Sequence, residues 1–107
     1  MITEEAAEGA VEYLRASAEK AAAARGNVVL LEGMLKVTKA KLKSRSTVKT
    51  DSGREDEALS SPEYETILKG YQAAVEEDAL YRMKREAAIA RIDAWRTQQS
   101  NIRGMQR

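Results

Sequence analysis

Seven cations lie within a short stretch of this chain: Lys36, Lys39, Lys41, Lys43, Arg45, Lys49 and Arg54, with Asp51 the one acid among residues 33–54. Cations at such density can neutralise phosphates, which makes these seven side chains the candidate nucleic-acid contacts. Lys36, Lys39 and Lys43 share a face at helical spacing. Lys41 and Arg45 lie elsewhere on the same helix, and Lys49 and Arg54 fall in the segment that follows. No aromatic residue is interleaved with them, so single-strand binding by base stacking has little support. The alternative, which the charge pattern below favours, is a solvated helix end partly neutralised from within the chain.

Other chemistry is narrowly bounded. The 107 residues include no Cys and no His. That excludes disulfides, thiolate and imidazole metal sites, and nucleophile–base pairs built on either residue. Carboxylate-only catalysis would need acids converging in a pocket, for which a thin helical protein has little room. No catalytic, cofactor-binding or metal-ligating residue is therefore assigned, no cofactor is expected, and the chain is read as a non-enzyme.

The elements that must position the cations are long helices. Charged residues make up 33% of the chain, there is one Pro and no Phe, and Ala, Glu, Lys, Arg and Leu dominate. Ala7, Leu14, Ala21, Val28, Leu35 and Leu42 recur every seven residues. Ala10, Ser17, Ala24, Leu31 and Thr38 follow three places on, the spacing of a coiled-coil seam. Gly26 and Asn27 weaken this helix locally, but the seam passes through them without a shift. A continuous or slightly kinked helix over about 4–44 is expected, with a break at Gly26 as the variant.

A second helix starts where Ser61 can cap, Pro62 suits the first helical position and Glu63 faces the positive end of the dipole. Tyr64, Ile67, Leu68, Tyr71, Ala74 and Val75 form its apolar stripe, which continues less regularly through Leu80, Tyr81, Ala88, Ile92 and Trp95. This helix is expected over about 62–103. The linker, about 45–61, is expected to be irregular, although "REDEALS" can add a helical turn. The fold class is all-α: one helical domain, a long antiparallel two-helix hairpin of coiled-coil type.

Charge tests that arrangement independently. Residues 1–32 carry net −3, residues 33–54 net +6, residues 55–78 net −7 and residues 79–107 net +5. An antiparallel hairpin sets the first block beside the fourth and the second beside the third, opposite in sign each time. Single exposed pairs contribute little, but the pattern disfavours parallel or shifted alignments. The second basic segment, with Arg82, Lys84, Arg85 and Arg91, then has an acidic neighbour too.

Apolar residues exceed one seam. Val29, Leu30 and Met34 widen the arc on the first helix, and Leu80, Met83, Ala87 and Ala90 form a displaced line on the second. Assembly into a four-helix-bundle dimer or a higher oligomer would cover them. Val28, Leu31, Leu35, Leu42, Tyr64, Tyr71, Leu80, Tyr81, Ile92 and Trp95 are the candidate core or oligomer-interface residues. No apolar run is long enough to span a bilayer, and the opening "MITEEAAEGA" lacks the marks of a signal peptide. Cytoplasmic residence without a membrane partner is expected.

The segment from Arg54 to Arg103 resembles a family of small helical proteins encoded by tailed bacteriophages and prophages. The likeness rests on an acidic "E-A-S-P-E-Y"-like run, here Glu57 to Tyr64, and a closing "W-R-x-x-x-S/A-N-x-R"-like run, here Trp95 to Arg103. Some members accompany replication or recombination genes. Most members are of unknown function, so the resemblance implies a viral origin, and with it host cytoplasm, more than an activity. Two functions follow as expectations. The first is an oligomeric interaction protein, adaptor or inhibitor of a host or phage DNA-processing protein. The second is a nucleic-acid-binding accessory factor in phage recombination or replication. A net charge of only +1 favours the first.

Overall fold

The computed structural model describes residues 1–106, and among them there are three helices and no strand. Helix α1 spans Glu4–Arg45, α2 spans Asp51–Leu59 and α3 spans Pro62–Met105. Each start is chemically marked. The Thr3 hydroxyl accepts from the Ala6 amide at 3.1 Å, and Glu4 and Glu5 occupy the first turn of α1, where carboxylates oppose the positive dipole end. Ser61 accepts from the Glu63 amide at 3.2 Å, directly ahead of Pro62. Gly26 does not interrupt α1.

The expected irregular linker is corrected by α2, nine residues where one helical turn was allowed for. Thr50 is its N-cap, accepting from the Gly53 amide at 3.1 Å. Ser60 ends it, its hydroxyl donating to the Asp56 carbonyl at 2.7 Å. Ala58, 1% exposed, anchors the helix. The non-helical residues shrink to 46–50 and 60–61. Composition hides this helix because its polar residues satisfy caps and ion pairs rather than loop solvent.

By its contacts the chain divides into two compact units, Met1–Ala22 with Ala79–Arg107, and Ala23–Asp78. In the first, Ile2 meets Gln98, and Leu14 and Ser17 meet Arg85. Rising numbers on α1 meet falling numbers on α3, so the segments are antiparallel. In the second, Arg25 meets Asp78 and Arg45 meets Glu63, again antiparallel.

The seam residues of α1 are all buried or half-buried, from Ala7 and Ala10 through Thr38 and Leu42. The matching seam of α3 is as regular. Tyr64, Ile67, Tyr71, Ala74 and Asp78 serve the second unit; Tyr81, Arg85, Ala88, Ile92, Trp95, Gln99 and Ile102 serve the first. The most buried positions are Ala7, Ala10, Ser17, Ala24, Val28, Ala58, Ala74, Asp78 and Ala88. Small side chains let helices approach closely, and the half-buried larger ones close the flanks. Leu80 lies outside the seam and is 53% exposed, so it belongs to no core.

Two glycines make opposite predictions. A Cβ at Gly9 meets nothing within 4 Å, whereas at Gly53 it lands 2.6 Å from Val48 Cγ1 and 2.7 Å from Thr50 Oγ1. Gly9→Ala should therefore raise helix stability by up to about 1 kcal/mol. Gly53→Ala should lower the stability of α2, because Val48 and the Thr50 cap must both move. Thermal melts of the two variants check this, and movement in the same direction contradicts it.

Candidate interaction surfaces

The basic block is held mainly by α2 and the start of α3. Lys39 Nζ lies 2.5 Å from Glu55 Oε1, Lys43 Nζ 3.0 Å from Asp51 Oδ1, and Arg45 Nη2 3.2 Å from Glu63 Oε2. Arg54 donates through Nε to the Val48 carbonyl at 2.6 Å, bracing residues 48–54. The Ser46 hydroxyl donates to Glu57 at 2.6 Å and accepts from the Val48 amide at 3.1 Å. Four of the seven candidate phosphate contacts thus have internal partners. Lys36, Lys41 and Lys49 make no ion pair among the described residues.

The Lys39–Glu55 pair carries an electrostatic signature. The hydrogen bond from Lys39, reinforced by its charge, lowers the Glu55 carboxyl below its ordinary value. The same bond and the Glu55 charge raise Lys39 above the ordinary lysine value. Glu55 contributes above the unfolded carboxylate value, ~4.3, and loses that contribution as pH falls through its lowered value. Lys39 contributes below the unfolded lysine value, ~10.4, and loses it as pH rises through its raised value. The pair is fully effective between those limits. Lys39→Gln should move the Glu55 titration midpoint upward toward ~4.3, as followed by carboxyl NMR; an unmoved midpoint contradicts the pairing.

Polar groups also sit inside the seams. Arg85 Nη1 donates to the Leu14 carbonyl and to the Ser17 hydroxyl, both at 2.7 Å. In the second unit Asp78, 9% exposed, receives Arg25 at 3.5 Å. The Gln98 amide pairs with both backbone groups of Ile2, accepting from its N–H at 2.8 Å and donating to its carbonyl at 2.9 Å. Reading only apolar residues along α3 missed these positions. The signal was present for two of them: strict three–four spacing from Tyr64 leads through Asp78 and Arg85 without a shift, whereas Gln98 lies one place beside that track.

Of the residues expected in a core or interface, Val28 is buried. Leu31, Leu35, Leu42, Tyr64, Tyr71, Tyr81, Ile92 and Trp95 are half-buried along the seams. Trp95 Nε1 and Tyr13 Oη are buried without a hydrogen-bond partner among the described residues. Outside the seams two uncharged lanes face solvent. On α1 of the second unit, Ala23, Gly26, Leu30, Gly33, Val37 and Ala40 follow three–four spacing, with Leu30 60% and Val37 53% exposed. On α3 of the first unit, Leu80, Met83, Ala87, Ala90 and Ala94 do the same, with Met83 68% exposed. Among the described residues, no helix is long and apolar enough to cross a membrane, and no group of three or more Asp and Glu is placed to hold a metal ion. No known protein family, curated protein or solved structure matches the chain.

Proposed function

We propose that this chain is a non-enzymatic, self-associating helical interaction protein that acts through protein contacts. Its most concrete form is an adaptor or inhibitor of a host or phage DNA-processing protein. The observation that carries the reading is a contrast between surfaces. The cations best placed to grip phosphate are largely occupied by Glu55, Asp51 and Glu63, while apolar side chains such as Leu30, Val37, Leu80 and Met83 remain in solvent. Exposed apolar lanes of this kind suit helix-in-groove or helix-on-helix recognition. The DNA-processing character of the partner, and the phage origin, rest on the sequence resemblance alone. Affinity capture from host cells, with and without nuclease, tests the reading. Partners retained after nuclease support it; partners released with the nucleic acid contradict it.

Lys36, Lys41 and Lys49 favour a second reading, a nucleic-acid-binding accessory factor, because all three are exposed and lack an ion-pair partner among the described residues. Under that reading, replacing them with Gln flattens the salt dependence of duplex binding by about 0.9 in log–log slope for each lost phosphate contact. Under the first, the wild-type chain gives no gel shift at physiological salt, and the triple variant changes nothing.

A further inference from the structure

Helix α2 is not needed to join its neighbours. Arg45, the last residue of α1, reaches Glu63 in the first turn of α3 at 3.2 Å, so the two helix ends already lie side by side. Two antiparallel helices can be joined by about 2–5 residues. Here residues 46–61 intervene, and nine of them form α2. Nor does α2 add much core. Within it only Ala58 is buried, and Leu59 is 43% exposed. What α2 does supply is an acidic edge laid back along α1. Asp51 meets Lys43, and Glu55, one turn on, meets Lys39, one turn earlier on α1.

We propose that the α1 face carrying Lys36, Lys39 and Lys43 binds the phosphate backbone of a nucleic-acid duplex, and that α2 masks it, the Asp51 and Glu55 carboxylates standing where phosphates would. The inference goes beyond both readings above. The second rests on the unpaired lysines alone, and the first leaves Lys39 and Lys43 no role outside the fold. Lys36 continues their row one turn beyond α2, exposed and without an ion-pair partner among the described residues. Glu32, also exposed, closes the row one turn earlier.

The mask is held weakly enough to be displaced. Exposed ion pairs contribute little singly and weaken further with salt, and the Ser46 hydroxyl on Glu57 adds one more polar contact of the same exposed kind. A polyanion can start at Lys36 and replace the carboxylates one at a time. Residues 46–50 and 60–61 keep α2 tethered, so its acids compete at high effective concentration and hold off isolated phosphates. A duplex presents phosphates in series and gains counterion release at each contact. The lysine row has no interleaved aromatic, which suits backbone contacts and not base stacking.

Asp51→Asn/Glu55→Gln removes the masking charges while keeping side-chain size. Binding of a short DNA duplex is titrated at several salt concentrations for this variant and for the wild type. A Glu76→Gln/Glu77→Gln control alters net charge equally, at exposed positions of the same unit that make no ion pair among the described residues. The unmasked variant should bind roughly tenfold tighter than the wild type. Its log–log salt slope should steepen by about 0.9 for each lysine engaged. The control should stay at the wild-type level, and adding Lys39→Gln/Lys43→Gln to the unmasked variant should abolish the gain. Circular dichroism checks that the helices persist, and Glu55→Gln alone, a milder change, should give a smaller gain in the same direction. An equal gain in the control would reduce the effect to net charge and overturn the mask. No gain in either α2 variant, or a gain that survives loss of the two lysines, would also overturn it. A wild type that already binds as tightly as the unmasked variant would overturn the mask and leave the second reading standing. Nuclease-resistant capture of a protein partner is decided separately.

Discussion

Val28→Asp should strongly destabilise the second unit, whereas Lys36→Asp on the same helix should barely alter it. Val28 is 5% exposed in the seam of the second unit. A carboxylate there lies opposite α3 with no cation designed to receive it. Burying such a charge, or opening the seam to hydrate it, costs on the order of 3 kcal/mol or more. For a chain of this size that corresponds to a fall of roughly 15 °C in melting temperature. Lys36 is exposed and unpaired among the described residues, and its replacement should stay within about 0.5 kcal/mol. Thermal melts followed by circular dichroism compare the two. Equal melting temperatures would remove the seam from the account.

The second large effect concerns Arg85 and divides by substitution. Arg85→Ala removes two hydrogen bonds and opens a gap between α1 and α3, for an expected loss of about 2–3 kcal/mol. Arg85→Met fills much of that volume without charge. The Leu14 carbonyl keeps its helical hydrogen bond, and the Ser17 hydroxyl can turn to the carbonyl one turn back. Stability should then return to within about 1 kcal/mol of the wild type, since buried charges often contribute little net stability. What Arg85→Met loses is the constraint that sets Ser17 opposite residue 85 and no other, which should broaden NMR signals of the first unit. A methionine variant as unstable as the alanine variant would show that the guanidinium bonds contribute net stability.

The sequence disclosed some of this more readily than the rest. The α1 seam was legible because Ala7, Val28 and Leu42 keep a seven-residue rhythm and the intervening positions stay small or apolar. The start of α3 was legible because Ser61, Pro62 and Glu63 are chemically specific to a helix N-terminus. The seam of α3 was only half legible, since Asp78, Arg85 and Gln99 are polar and an apolar pattern cannot register them. Their partners lie on another helix, Arg25 for Asp78 and Ser17 for Arg85, and pairing at that separation is invisible to periodicity. Helix α2 escaped for a related reason. Its residues look like linker until Lys39 and Lys43 supply the cations that Glu55 and Asp51 need.

The basic block followed the same logic. Charge blocks of opposite sign gave the expectation that its lysines would find acids nearby, and Lys39, Lys43 and Arg45 do so. Which cations would remain unpaired was not legible. That depends on whether a residue lies within reach of α2, as Lys39 and Lys43 do, on another face of α1, as Lys41 does, or on the shared face but about one turn further from α2, as Lys36 does. The outer lanes were visible only as surplus apolar residues.

The most direct test of action through protein contacts combines capture with substitution in the outer lane of α3. Wild-type chain and a Leu80→Asp/Met83→Asp variant are used as baits in nuclease-treated host-cell extract, and the bound proteins are quantified by mass spectrometry. Both side chains are more than half exposed, so the variant should keep its helix content and melting temperature. The expected result is a partner that binds the wild type after nuclease treatment and is lost from the variant. A partner that disappears with nuclease, or that binds wild type and variant equally, would contradict the account.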